Sequence, residues 1–270
     1  MEHSTISASL PHGAATRTAR LRGVWHEVKK VPPIGACWSG VRKAYFQIRR
    51  WQELISFVPR HRDIRRQPWT KLQIGAGTNP LPGWLNTDLR PGAQVLSVDA
   101  TRPLPFADGK FKYAFSEHMV EHVSFAAARQ MLQELNRVLA DGGKLRISTP
   151  DFDFFLRMFH QNISDEEKDF LAWHVAAYTP ELPIHPLSVM NTMFRLWGHQ
   201  HLYNQETLSS LLRECGFGQI SRYRTGESDD PQLRGLESHG KLVGEQHNRM
   251  ETLVLEATKV SACAVRKASV

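Results

Sequence analysis

Between Lys71 and Pro150 the chain repeats one event: a short run of apolar residues ends in a glycine turn or in a charged residue. Lys71 to Ile74 runs into Gly75-Ala76-Gly77, Trp84 to Leu89 carries Asp88, Gln94 to Val98 stops at Asp99, and Lys112 to Ser116 is followed by Glu117-His118. Such runs are too short for helices and have the length of buried strands. A helix follows, with Ser124 as N-cap, an apolar stripe of Ala128, Met131, Leu132, Leu135, Val138 and Leu139, and Gly142-Gly143 as its stop. Leu145 to Thr149 is a further strand, closed by Pro150. Strand, helix, strand in this order builds a mostly parallel α/β sheet. Ligands of such sheets bind beyond the carboxyl ends of the strands, where glycines let the backbone approach and carboxylates accept hydroxyl or amino protons.

After Pro150 the alternation is interrupted by residues 151–203, an aromatic-rich stretch predicted to be mostly helical. It resumes with a helix capped by Asn204, striped by Leu208, Leu211, Leu212 and Cys215 and stopped at Gly216, then strands at about 219–224 and 251–257. The expected fold is therefore α/β and Rossmann-like, about seven strands, with a helical insertion after the fifth strand and an N-terminal helical extension. The connections from Gly77 to Trp84 and from Leu89 to Gln94 are too short for the helix that a parallel crossover normally uses. One face near the first strands thus needs another cover. The amphipathic segment Val41 to Val58 is the nearest candidate.

Net charge is +7, but it is unevenly placed: residues 1–69 hold 13 Lys/Arg against 4 Asp/Glu, and the remainder is slightly acidic. The chain is thus read as a basic N-terminal tail and helix (1–69), an α/β domain (70–260) and a C-terminal tail (261–270). Nucleic acid is a poor partner for so acidic a body. The basic 41–58 helix leaves peripheral contact with an anionic membrane open. No apolar stretch has the length of a membrane span, and Met1 to Arg22 lacks the apolar core of a signal peptide. Cys37, Cys215 and Cys263 are odd in number and far apart, which argues against a disulfide framework or structural zinc and for a cytoplasmic protein.

The motifs IGAG at 74–77, PGWLNTDL at 82–89, DATRPLPF at 99–106, SEHMVEH at 116–122 and ADGGKLRISTP at 140–150, continued by GHQHLYNQETLSSLLRECGF at 198–217, resemble in kind and order the class I, Rossmann-like S-adenosylmethionine-dependent methyltransferases, in particular bacterial predicted methyltransferases. The resemblance covers most of residues 70–260 and none of the N-terminal arm. It implies S-adenosylmethionine as cofactor, with Gly75, Ala76 and Gly77 along the methionine portion, Asp88 on the ribose, Asp99 and Ala100 at the adenine, and Glu117 and His118 at the sulfonium end. Two positions depart from the pattern: Gln73 stands where an acid is usual, and Asn79 where a third glycine is usual.

The 151–203 insertion leaves the sheet at its ligand-binding edge, so it is expected to cover the acceptor. Phe152, Phe154, Phe155, Phe159, Trp173, Tyr178, Phe194 and Trp197 supply candidate walls, and His199 or His201 a candidate general base. The acceptor itself, a small molecule, a glycan or a lipid-linked group, is not identified by sequence, nor is the oligomeric state. Two other classes compete: a cofactor-binding protein without transferase activity, and a zinc hydrolase, since His118-Met119-Val120-Glu121-His122 matches HxxEH. That motif requires a helix and a third ligand, whereas here it follows a strand. No metal ligand set is expected, and Glu121 and His122 are expected to be packed or capping residues.

Overall fold

The computed structural model describes residues 68–261. The basic arm with its Val41 to Val58 stripe, and the tail beyond Ser261, lie outside the described residues. Seven strands form one sheet: β1 (Lys71–Ile74), β2 (Leu85–Asp88), β3 (Val95–Ser97), β4 (Phe111–Glu117), β5 (Leu139–Pro150), β6 (Phe217–Tyr223) and β7 (Thr252–Lys259). Their spatial order is β3-β2-β1-β4-β5-β7-β6. The first five pair in parallel, and β7 runs antiparallel between β5 and β6.

Helix α1 (Phe125–Val138) starts where Ser124 is extended and its side chain accepts from the Ala127 amide. Its stripe of Ala128, Met131, Leu132, Leu135 and Val138 is fully buried against Leu72, Ile74, Leu85 and Leu145 of the sheet. The helix ends earlier than the glycine pair at 142–143 suggests. Leu139 is already extended and pairs with Phe111, so β5 begins there and carries the glycines inside it. Gly142 has φ +72°, and a Cβ on Gly143 would sit 2.7 Å from the Ala140 carbonyl oxygen, so the glycines serve an irregular strand start. Helix α5 (Gln205–Glu214), capped by an Asn204/Thr207 box, buries Leu208, Leu211 and Leu212 in the same core.

No helix occurs between β1 and β2 or between β2 and β3, as their short spacings require. Part of the opposite face is covered by an irregular loop from Arg224 to His239, whose Leu233 and Leu236 pack on Trp84, Phe115, Leu81 and Tyr113. Two polar anchors hold that loop. Arg146, fully buried on β5, pairs with Glu237 and Glu256 and donates to the Glu227 carbonyl. Glu117, at the end of β4, accepts from the Ser238 and His239 amides and from the Ser238 hydroxyl.

The insertion contributes α2 (Phe152–Arg157), α3 (Asp165–Tyr178), with a Ser164/Glu167 capping box, and α4 (Pro186–Arg195), with Pro at its start. It has a core of its own, built on Phe154, Phe155, Met158, Phe170, Val175, Val189 and Met193. Its two ends meet: Asp151 and Tyr203 form a parallel bridge, and the Phe152 amide donates to the Tyr203 carbonyl. Two short helices, α6 (Gly240–Val243) and α7 (Glu245–Glu251), lead into β7. Among the described residues no helix is long and apolar enough to cross a membrane.

Candidate active site

The carboxyl ends of β1, β2 and β4 open into a cavity of about 490 Å³ lined by Gly75, Gly77, Asp88, Asp99, Ala100, His118, Met119 and His122, among others. Its floor depends on the glycine turn. Gly75 has φ +72°, and a Cβ there would lie 2.6 Å from Met119 Cγ, so both backbone and space demand glycine. A Cβ on Gly77 (φ +51°) would meet no atom within 4 Å and would project from the cavity wall. Asp88 ties turn and strand together, accepting from the Gly77 and Arg90 amides at 2.9 and 2.8 Å. Asp99 accepts from the Thr101 amide and hydroxyl and lies 3.3 Å from Arg102 Nε. A carboxylate has about four acceptor sites, so Asp88, with two in use, keeps capacity for ligand donors. Glycines without obstruction, two strand-end acids and a cavity of this size fit a nucleoside-bearing cofactor.

Two of the flagged residues sit elsewhere. Ala76 is buried behind the turn, its amide donating to Thr87. Glu117 does not line the cavity, because its carboxylate is turned to the 224–239 loop that it anchors. The departure at Gln73 also has a structural reason. Its buried amide donates to the Asn79 carbonyl and accepts from the Leu81 amide, pinning the far side of the turn.

Beyond β4 the chain reverses sharply. His118 takes φ +44°, an uncommon conformation for a non-glycine residue, with its amide held by Ser148 O. Residues Val120–His122 then form a single 3-10 turn. HxxEH is therefore not on an α-helix, and its imidazoles are not stacked on one helical face, which removes the zinc-protease geometry. His118 stacks on His239 (4.0 Å between centroids) and places Nδ1 3.4 Å from Glu121 Oε1. Burial opposes charge on both partners. Even so, their close approach and mutual attraction, with Glu251 and Glu117 acting on the histidine, hold His118 above and Glu121 below their usual pKa. Glu121 is no capping residue: it is fully buried, with Oε2 accepting from the Thr149 hydroxyl.

On the other side of this turn lies a second cavity, of about 370 Å³, walled by the insertion and by α6. Trp173, Tyr178 and Trp197 are its aromatic surfaces, and His118, Glu121, His122, His174, His199, His239 and Glu251 its polar ones. Of the other flagged aromatics, Phe154 and Phe155 belong to the insertion core, Phe159 and Phe194 are exposed, and Phe152 is half-buried. His199 reaches the cavity, whereas His201 packs on Phe125 and Tyr203 outside it. Burial lowers the His199 pKa and pushes His174 down to about 4, so both are neutral near pH 7. Burial pushes Tyr203 up to about 12 and raises Tyr178, so neither phenol is ionised there. The two cavities share His118 and His122. His239 and Glu251 escaped the sequence reading because they come from a loop and a short helix without periodicity, more than 100 residues from the motif they join.

Residues 72–147 match the model of a family described as a methyltransferase domain. No curated protein matches the sequence. Among solved structures, phosphoethanolamine N-methyltransferase 2 of Haemonchus contortus, in complex with S-adenosyl-L-methionine, is 16% identical over 71% of this chain, with a TM-score of 0.39. The chain spans 48% of that protein's length. Methyltransferases of Thermotoga maritima (17% identity, 78% of this chain and 97% of that one, TM-score 0.41) and Mesorhizobium loti (16%, 75% and 97%, TM-score 0.42) are also similar.

Proposed function

We propose that the chain carries a class I S-adenosylmethionine-dependent methyltransferase domain, a reading supported by the family match over residues 72–147 and the strand order, and that it methylates a small acceptor held in the aromatic and histidine-walled cavity. The observation that carries this reading is the meeting of two cavities at His118 and His122, one bounded by the glycine turn and strand-end acids, the other by the insertion. In this reading Asp88 binds the ribose and Asp99 with Ala100 the adenine, while Gly75 and Gly77 lie along the methionine portion. The cofactor supplies an electrophilic methyl on a sulfonium sulfur. The protein's share is alignment. An acceptor lone pair must lie in line with the methyl at near-attack distance, and the aromatic wall reduces access of competing water. The faces of Trp173, Tyr178 and Trp197 favour a cation nearby. An acceptor that loses a proton on methylation needs a base, and His199, neutral and on the cavity wall, is the candidate for that role.

We read the acceptor as a hydroxyl- or amine-bearing small molecule, glycan or lipid-linked group, a reading that the size and aromatic lining of this cavity support. Labelled S-adenosylmethionine incubated with the full chain and fractionated extract tests the reading. Transfer of label to a small product supports it. Absence of cofactor binding by calorimetry would sink it, and binding without transfer to any fraction would favour a cofactor-binding protein that acts by interaction.

A further inference from the structure

We propose that Glu121, His122 and His199 form a binding site for one divalent transition-metal cation, which holds and acidifies the acceptor's oxygen. One ligand atom from each of the three lies within 4.8 Å of the others. Two atoms bound to one ion at 2.0–2.2 Å stand at most about 4.3 Å apart, so small side-chain movements of roughly 1 Å close the set.

Three features set this cluster apart from an incidental grouping. Glu121 is fully buried, yet Oε1 makes no hydrogen bond. His118 Nδ1 is 3.4 Å and His122 Nε2 4.0 Å from that oxygen. Two imidazoles at those distances pair a buried carboxylate oxygen only loosely, and a cation held between Glu121, His122 and His199 would pair it fully. Secondly, the two segments that bring the ligands are fastened together. The amides of Gln200 and His201 both donate to the Glu121 carbonyl, and the Gln200 side chain donates to the His122 carbonyl at 2.7 Å. His199 therefore arrives beside His122, ring centroids 4.9 Å apart and edge-on, on a loop that cannot drift independently. Thirdly, an outer shell exists: the Thr149 hydroxyl fixes the other oxygen of Glu121.

Two imidazoles and one carboxylate are a borderline donor set, suited to zinc, iron, cobalt or manganese rather than to calcium or magnesium, which prefer oxygen alone. Three protein ligands leave coordination positions open, and the open side is the 370 Å³ cavity. Cation binding itself is independent of the proposed methyl transfer; its role here rests on that reading. A hydroxyl that ligates the cation loses its proton to solvent near neutral pH. The bound oxygen then forms the new O–CH₃ bond with its lone pair as the methyl–sulfur pair withdraws onto sulfur, leaving a neutral thioether. His199 then acts as a ligand, and no separate base is needed. The acceptor class narrows to hydroxyl compounds.

The test is a titration of the chelator-treated full chain with Co²⁺, followed by its visible ligand-field spectrum, with Zn²⁺ and Mn²⁺ followed by calorimetry. The wild type should take one cation per chain with micromolar or tighter affinity, about 10⁻⁶ M or below. His122→Asn, His199→Gln and Glu121→Gln should each weaken it at least about ten-fold and change the Co²⁺ spectrum. Each variant is checked by its melting temperature, and His199→Gln, whose side chain lies outside the cofactor cavity, also by S-adenosylmethionine binding. Absence of stoichiometric binding to the wild type overturns the site, as does binding unaltered in folded His122→Asn and His199→Gln chains. Failure of the methyltransferase reading would instead appear as lost cofactor binding with the cation retained.

Discussion

His174 is 1% exposed and ringed by Phe170, Trp173, Tyr178 and Trp197, and burial pushes its pKa down to about 4. Its neutral form is native. As pH falls from the unfolded value of 6.5 towards 4, the unfolded chain takes up a proton that the fold refuses, so stability present above 6.5 is lost across that window. His174→Phe should flatten the decline by up to about 3 kcal/mol, read from urea midpoints at pH 7 and pH 4.5. At the cofactor cavity, Asp88→Ala and Asp99→Ala should each weaken S-adenosylmethionine binding by about 1–3 kcal/mol, through hydrogen bonds lost from a charged acceptor; calorimetry at fixed salt reads this. His199→Ala should lower turnover about 100-fold or more with cofactor affinity intact, while His201→Ala, outside the cavity, should stay near wild type. Residue by residue, Gly75, Gly77, Asp88 and Asp99 were legible because each follows a short strand and their order is fixed by the chain. Glu121 and His122 were visible as letters of a motif but not as a cluster, because their neighbour His199 lies 77 positions away and only folding brings it there.

At the scale of elements, the amphipathic helices were the most readable: the stripes of α1 and α5 are buried as their spacing requires. The strand at 139–150 was shortened by sequence reasoning because its glycine pair resembles a helix stop, and strand pairing with Phe111 overrides that local signal. The 224–239 loop had no legible pattern at all. It is specified instead by buried charges, chiefly Arg146 between Glu237 and Glu256. Arg146→Met strips both carboxylates of their partner and should destabilise the domain by about 3–5 kcal/mol, measured by urea denaturation. Converting Glu237 and Glu256 to apolar residues in the same chain should recover much of it. If the single and triple variants unfold at the same midpoint, the charges do not hold the loop. Glu117→Ala should expose the Ser238 and His239 amides to hydrogen exchange while α1 amides stay protected, because Glu117 is the acceptor for both.

For the whole molecule, the sheet, its short first crossovers and the position of the insertion were all legible, since they follow from which segments are too short for helices. The cover of the second face was legible only as a need: the sequence pointed to Val41 to Val58, and part of that need is met by Leu233 and Leu236. If the amphipathic segment covers the rest, a chain lacking residues 1–60 should melt several degrees lower; an unchanged melting temperature would assign it to another role. The insertion has a further consequence. It departs at Asp151 and returns at Tyr203, bridged to each other, and it folds around its own aromatic centre. A segment whose ends are already neighbours can be exchanged for another of different length at little entropic cost, because loop closure depends only weakly on length. Under the proposed function, a different segment grafted between the same two residues, with the Gln200 contacts to Glu121 and His122 kept, should change what the molecule recognises.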